Sequence, residues 1–405
     1  MLKRELTNIL LTNGIVLVMT DDKTAKRMSD IAPSGIRKMF ARAQGIPGVI
    51  SLGIGQPNVP TPKGLVDALV KAVQGGDNYY SPTQGTPKYL EAIAEQNKRW
   101  YNLEYNPKSD ILSTASGCEA LYSSLMAFIN PGDEVLLPNP SFLTYPRQIT
   151  LAGGKPIWMK PTEDLKIDTS NLQNLITNKS KAIILNFPSN PTGELMTKSE
   201  LKPLIDLAID NDLLIISDEV YERCIFINEP HVRVPKIDGA YERTILINSF
   251  SKTYCVPGWR IGYVAAPKDL LAPIMKMHSF VVANAPSAQQ NALGEFMNTP
   301  EADQFTNKLR DILQERMERI VAGFNSIDGI ECRKPEGSFY AFPNVTNHKE
   351  YSNSVEICEK IFNLQKIALV PGTEFGPAGE GYLRASFGSL SLEQIDETMN
   401  RLKQL

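Results

Sequence analysis

Cysteine is scarce in this chain of 405 residues: Cys118, Cys224, Cys255, Cys332 and Cys358 are scattered, odd in number, and nowhere form the CxxC spacing of a zinc site or redox pair. Thiols in such a pattern read as reduced, which points to a cytoplasmic protein. Histidine is scarcer still. His231, His278 and His348 lie far apart and no HExxH occurs, so no metal site is expected. Neither sign of charge dominates, with 42 basic and 45 acidic residues interspersed and a formal net charge of −3. No basic patch or tail suits nucleic acid or an anionic membrane, and a small-molecule substrate is expected. Internal repeats are absent. GIGQPN at residues 53–58 lacks the third glycine of GxGxxG, which excludes a dinucleotide-binding fingerprint.

A long apolar run is missing too. MLKRELTNILLTNGIVLVM has two early basic residues and an apolar stretch, a weak likeness to a signal peptide, but Thr12-Asn13-Gly14 interrupts it and no A-x-A-like cleavage site follows. It is too short and broken to span a bilayer. Residues 1–27 read as an extension that packs on the body or on a partner chain. A start assigned too far upstream is equally open, since Met19 and Met28 both precede the sequence that looks globular.

What is present suits a globular enzyme: 42% hydrophobic and 21% charged residues, and a length that favours two domains over one. From residue 63 helical and strand-like segments alternate, the pattern of an α/β fold with a mainly parallel sheet. KGLVDALVKAVQGG is an amphipathic helix stopped by glycines, and KPLIDLAIDND is a second helical stretch. The runs AIILN, LLIIS and TILIN read as buried strands. EADQFTNKLRDILQERMERIVAGFNSI forms a long helix leading to a second domain. That domain holds GSFYAFPNV, a helix at SVEICEKIFNLQ, strands IALVPG and YLRASFG, and a closing helix LEQIDETMNRLKQL.

Ligands of open parallel sheets gather at the carboxyl ends of strands, so three strand ends converge here: Asn190, Asp218 with Tyr221, and Ser249 with Lys252. A lone lysine after a strand is ordinarily a solvated surface residue. A desolvated lysine near other cations instead loses its proton easily and acts as a nucleophile toward carbonyl groups.

In NSFSKTYCVPGWRIGY, together with GIGQPNVPTP, NYYSPTQG, ASGCEAL, PNPSFLTYP, NFPSNPTG, SDEVYE and YLRASFG, the chain resembles the fold-type I pyridoxal-phosphate aminotransferases of the class I and II aspartate/aromatic group, over roughly residues 29 to 403. The resemblance implies a large domain (63–299) with a mainly parallel seven-stranded sheet flanked by helices, and a smaller α/β domain (28–62 and 300–405). It implies that Lys252 bonds the cofactor aldehyde and moves the substrate Cα proton. By the same resemblance Asp218 would keep the cofactor's ring nitrogen protonated, the reading opposed to a helix N-cap, and Tyr221 and Asn190 would pair with its phenolic oxygen, where Asn190 is otherwise a turn residue.

A phosphate needs backbone N–H groups at a helix N-terminus and cations. Ser116, Gly117 and Cys118 open a helix, and by resemblance Ser249 and Arg260 complete the cup, although Arg260 alone would read as a surface ion pair. Many relatives carry Lys or Thr where Cys118 stands, so its contact rests on the backbone N–H. Phe142 falls where the family stacks an aromatic on the cofactor ring, the alternative being a core phenylalanine. Arg384 resembles the clamp for the substrate carboxylate, with Gly55 adding an N–H. Tyr80 resembles the tyrosine that reaches the neighbouring subunit's cofactor phosphate, which implies a homodimer with shared sites. The peptide bonds before Pro140 and Pro191 are expected to be cis.

The implied activity is amino transfer from an L-amino acid (aspartate, aromatic or alanine-like) to a 2-oxo acid such as 2-oxoglutarate, by a ping-pong Schiff-base mechanism. A carbon–sulfur β-lyase on the same fold shares the Cα proton removal and is the alternative. A non-catalytic sensor would need a DNA-binding domain in front, for which 28 residues are too few. No arginine for a distal carboxylate is evident in KMHSFVVANAPSAQQ, which favours broad or aromatic/aliphatic donors.

Overall fold

Branched apolar runs without polar alternation are buried on both faces and form the strands of a parallel sheet. The computed structural model describes residues 9–12, 15–18, 24–31, 33, 35 and 45–405. Contacts divide the chain into residues 1–33 and 34–405. In the first unit β1 (Ile9–Thr12) and β2 (Ile15–Val18) pair antiparallel, Thr12 opposite Ile15. The remainder of the expected extension lies largely outside the described residues.

In the second unit β3 (Ile50–Ser51) is followed by α1 (Lys63–Gln74), α2 (Pro87–Tyr101) and β4 (Ile111–Thr114). As the sequence predicts, α1 stops at glycine: the Gly75 N–H bonds to the Lys71 carbonyl at 2.8 Å. Then come α3 (Gly117–Phe128), β5 (Glu134–Pro138), α4 (Thr144–Leu151), β6 (Lys155–Met159), β7 (Ser180–Asn186), α5 (Lys198–Asp210), β8 (Leu214–Asp218) and β9 (Thr244–Ser249). The single turn α6 (Phe250–Thr253) leads to β10 (Gly262–Ala265), α7 (Lys268–Val281) and α8 (Ser287–Phe296).

These strands make one seven-stranded sheet in the order β4-β10-β9-β8-β7-β5-β6. Only β10 runs against the rest, antiparallel to both β4 and β9. Central β8 and β9 are mostly Ile, Leu and Ser and are buried along almost their whole length. Helix α5 starts where sequence chemistry dictates, at a reciprocal capping box of Thr197 and Glu200.

The chain continues through α9 (Pro300–Asn325), β11 (Tyr340–Ala341), α10 (Ser354–Gln365), β12 (Ile367–Ala368), β13 (Val370–Pro371), β14 (Leu383–Ser386) and α11 (Leu392–Leu402). Leu309, Leu313, Met317, Ile320 and Phe324 recur at helical spacing on α9 and pack with Ile395, Met399 and Leu402 of α11. Each such burial stabilises by about 1.5–3 kcal/mol. IALVPG, expected as one strand, is two. Its first half pairs parallel with β3 and its second antiparallel with β14, because the two halves join different sheets.

Peptide bonds before Pro140, Pro188 and Pro191 are cis. The resemblance anticipates the first and third but not Phe187-Pro188.

Candidate active site

Parallel pairing sets Asn186 beside Asp218 and Asp218 beside Ile247, so the ends of β7, β8 and β9 open on one place. There a cavity of about 270 Å³ is lined by Gly55, Ser116, Gly117, Cys118, Phe142, Asn190, Asp218, Tyr221, Ser249, Lys252, Arg260 and Arg384, together with six residues that sequence reasoning missed. Those six are Tyr145, Asn186, Val220, Ser251, Pro257 and Tyr340. Tyr80 stands apart, with 90% of its surface exposed on this chain.

Lys252 sits on α6, a helical turn capped by Ser249, whose hydroxyl accepts from the Ser251 N–H. Its Nζ donates to the Gly55 carbonyl and lies 5.6 Å from the Phe339 ring centroid. Burial lowers its pKa from 10.5 to about 8, with Arg384 and Arg260 adding to the fall. The surface reading of this lysine is thereby set aside.

Asp218 ends β8, and the segment after it turns rather than starting a helix. Tyr145 on α4 donates to Oδ2 at 2.8 Å, and the Val220 N–H to Oδ1 at 3.3 Å. Burial nevertheless raises the carboxyl from 3.8 to about 6. Asn186 fixes the backbone here, its amide donating to the Asp218 carbonyl at 2.9 Å. Phe142, half-buried, meets Tyr145 edge-on, with centroids 5.6 Å apart.

The other end of the cavity is a helix N-terminus. Gly117 begins α3 and Ser116 caps it at φ 91°, with no side-chain capping bond. The Ser116 hydroxyl is buried and unpartnered. Helix-start N–H groups have no intrahelical acceptors and favour an anion. Gly262 on β10 approaches this turn so closely that a Cβ there would lie 3.1 Å from the Gly117 nitrogen and 2.6 Å from the Asn248 carbonyl. Ser249 Oγ stands 2.8 Å from Ser251 Oγ and donates to the Ile261 carbonyl at 3.1 Å. Exposed Arg260 adopts the left-handed conformation at φ 54° and donates to the Pro257 carbonyl at 2.9 Å.

Arg384 on β14 is 1% exposed. It donates to Asn190 Oδ1 at 3.2 Å and the Gly53 carbonyl at 2.6 Å, its Nε has no partner, and its Cζ lies 4.6 and 4.9 Å from the Tyr340 and Phe375 centroids. No described carboxylate pairs with it. Burial accordingly pulls its pKa below the usual arginine value. Tyr340, from the other sheet, joins its hydroxyl to that of Tyr221 at 2.9 Å. A Cβ at Gly55 would fall 2.2 Å from the Tyr340 hydroxyl, so glycine is required there.

Two histidines lie elsewhere, on carboxylates: His231 on Glu219 and His278 on Glu119. Among the described residues no group of three His, Cys, Asp or Glu side chains could hold a metal ion, and no helix is long and apolar enough to cross a membrane.

Comparison with known proteins fits this geometry. Residues 47–402 match the family model for aminotransferase class I and II. The chain is 35% identical to an aspartate aminotransferase of Pyrococcus abyssi over 381 residues, covering 94% of this chain and 97% of that one. It is 34% identical to aromatic-amino-acid aminotransferase 2 of Thermococcus litoralis, with the same coverage. The crystal structure of Pyrococcus protein A1 superposes with a TM-score of 0.90 at 34% identity, covering 93% of this chain and 97% of that one. With a half-buried lysine at the cavity and a match over most of its length, the chain belongs to the class I and II aminotransferases, fold-type I pyridoxal-phosphate enzymes that exchange an amino group between an amino acid and a 2-oxo acid.

Proposed function

We propose that Lys252, Asp218 and Arg384 divide the work of amino transfer, with a broad or aromatic/aliphatic amino acid as donor. The carrying observation is a pair of cations, half-buried Lys252 and fully buried Arg384, that face one cavity without an ion pair to any described carboxylate. Such groups cost stability unless a ligand completes them.

The residues fit pyridoxal phosphate. The unpartnered Ser116 hydroxyl and the start of α3 suit its phosphate, with Ser249, Arg260 and the Cys118 N–H beside them. Phe142 suits the face of its ring, Asp218 the ring nitrogen, and Tyr221 and Asn190 the phenolic oxygen. When bound, the cofactor supplies an aldehyde for amines and an electron-withdrawing ring that makes a substrate Cα–H acidic. Arg384 binds the donor carboxylate in a two-pronged grip, aided by the Gly55 N–H, and so orients the Cα–H bond. Lys252 Nζ, neutral in half the molecules near pH 8, takes the Cα proton and in the return half-reaction gives one back to Cα of the new amino acid. Tyr145 holds Asp218 in place.

Among the described lining residues the only cations are Lys252, Arg260 and Arg384, and the rest of the wall includes Phe142, Tyr145, Tyr221 and Tyr340. That wall favours donors without a second carboxylate, although relatives carry both aspartate and aromatic names. We also read the enzyme as a homodimer in which Tyr80 serves the partner's site, supported by the exposure of Tyr79, Tyr80 and Phe280 at 83%, 90% and 82%. Lobes of 63–299 and of 28–62 with 300–405 belong to the same reading. The five cysteines, scattered and odd in number, support a cytoplasmic location. The β-lyase and sensor alternatives gain nothing from relatives named as transaminases.

Rates with aspartate, alanine, tyrosine, phenylalanine and kynurenine, each with 2-oxoglutarate, test the donor assignment. Turnover confined to aspartate would refute it. Loss of visible absorption and of turnover in Lys252→Ala tests the lysine's role.

A further inference from the structure

A second cavity, of about 550 Å³, shares no lining residue with the first. It lies behind the same stretch of chain: Asp218, Val220 and Tyr221 line the first cavity, while Glu222 and Arg223 line the second. Its wall is largely charged and polar, with Trp100 and Tyr101 set among the side chains, and its polar atoms are chiefly donors. The Arg223 guanidinium stacks over Trp100 with Cζ 4.4 Å from the ring centroid, and Arg233 over Tyr101 at 4.1 Å. Stacking leaves the edge of a guanidinium free for bidentate contact with an oxyanion.

Its cations are not equally committed. Arg99 is paired with Asp303, Arg310 with Asp311, and Arg233, only 2% exposed, with Glu219 and Glu222. Arg223 makes no ion pair with a described residue, and its Nε is buried without a partner. Lys236 bonds only the Tyr101 carbonyl, at 2.7 Å. The Arg233 Nε is also buried and unpartnered, whereas the Tyr101 hydroxyl faces the Glu222 carboxylate. Against these donors stand Glu222, ion-paired with Arg233 and facing the Tyr101 hydroxyl, and Glu229, an exposed carboxylate on the lining. Buried donors without acceptors are costly and ask for a ligand rich in acceptor oxygens.

We propose that this cavity binds a small organic oxyanion, a carboxylate or phosphate on a flat apolar body, with Arg223 and Lys236 on the anion and Trp100 and Tyr101 along the body. Trp100 makes the site self-reporting. Holoenzyme titrated with phenyl phosphate, and separately with benzoate, is expected to show a saturable change in tryptophan fluorescence that is absent in Trp100→Phe. Arg223→Gln and Lys236→Gln should each weaken binding about tenfold, the scale of one charge-assisted contact. A response to either probe supports the site, and their ratio tells phosphate from carboxylate. Arg384→Met should leave the titration unchanged. No saturable response to either probe, an undiminished one in both Arg223→Gln and Lys236→Gln, or one lost in Arg384→Met would overturn the proposal.

Discussion

Replacing Lys252 by methionine, close in volume but uncharged, is expected to stabilise the cofactor-free protein while ending its activity. The lysine's pKa falls from 10.5 to about 8, and at about 1.4 kcal/mol per tenfold this amounts to roughly 3 kcal/mol of preference for the neutral amine. The sign follows from linkage. A base whose folded pKa lies below its unfolded value penalises folding in full below the folded pKa, and the penalty fades as pH rises toward the unfolded value. Methionine also gives up the hydrogen bond to the Gly55 carbonyl, a loss of about 1 kcal/mol. The net gain is therefore about 2 kcal/mol at pH 7, shrinking to nothing or slightly reversing by pH 10. Urea unfolding of both cofactor-free proteins at pH 7, 8.5 and 10 measures it. A variant that is less stable at pH 7, or a difference that does not move with pH, would refute the reasoning.

Asp218→Asn should keep the fold but lower kcat by on the order of 10²–10⁴, the scale of a lost acid–base partner, measured by steady-state kinetics with cofactor in excess. Arg384→Ala should cut kcat/KM by about 10²–10⁴, the weight of a buried charge pair, with cofactor loading judged by visible absorption unchanged. Behind the cavity, Arg233 neutralises Glu219 and Glu222, so Arg233→Met should cost about 3–5 kcal/mol in thermal or urea unfolding. If the proposed homodimer uses the exposed Phe280, Phe280→Glu should shift sedimentation from dimer to monomer without changing monomer stability, and a wild-type protein that sediments as a monomer would refute it.

Much of the site could be read in the sequence because its residues sit where local rules put them. Asp218 and Ser249 end apolar strands, Lys252 follows one such end, and Ser116-Gly117-Cys118 opens a helix, so a parallel sheet alone gathers them. Tyr340 had no such signal. It reaches Tyr221 across 119 positions of sequence from another sheet, and nothing local in GSFYAF marks it. Tyr145 was closer to hand, three residues after Phe142 on the same turn, where a buried carboxylate asks for a donor. Asn13-Gly14 between ILLT and IVLV is the strongest short hairpin signal there is. The interrupted apolar run hides it, yet β1 and β2 pair on either side of it.

Asp218 and Glu219 show why composition alone could not go further. They are adjacent carboxylates on one strand end, and successive side chains of a strand point to opposite faces. Asp218 faces the cavity, where burial prevails over one tyrosine hydroxyl and one backbone N–H and lifts it to about 6. Glu219 faces the other way. Burial pushes it up as well, but Arg233 and His231 outweigh that and hold it at about 2. The sequence DE offers no hint that the two carboxyls move in opposite directions; the difference is made by residues 12 and 14 positions later that turn back onto one face only. The compensated carboxylate stabilises the fold, and its contribution is lost only as pH falls from 4.5 toward 2. The uncompensated one costs stability at neutral pH, and so do Lys252 and Arg384 on the same cavity. Three charges on that cavity without mutual ion pairs destabilise an empty site, and a ligand carrying acceptors for Lys252 and Arg384 and a donor for Asp218 recovers that energy on binding.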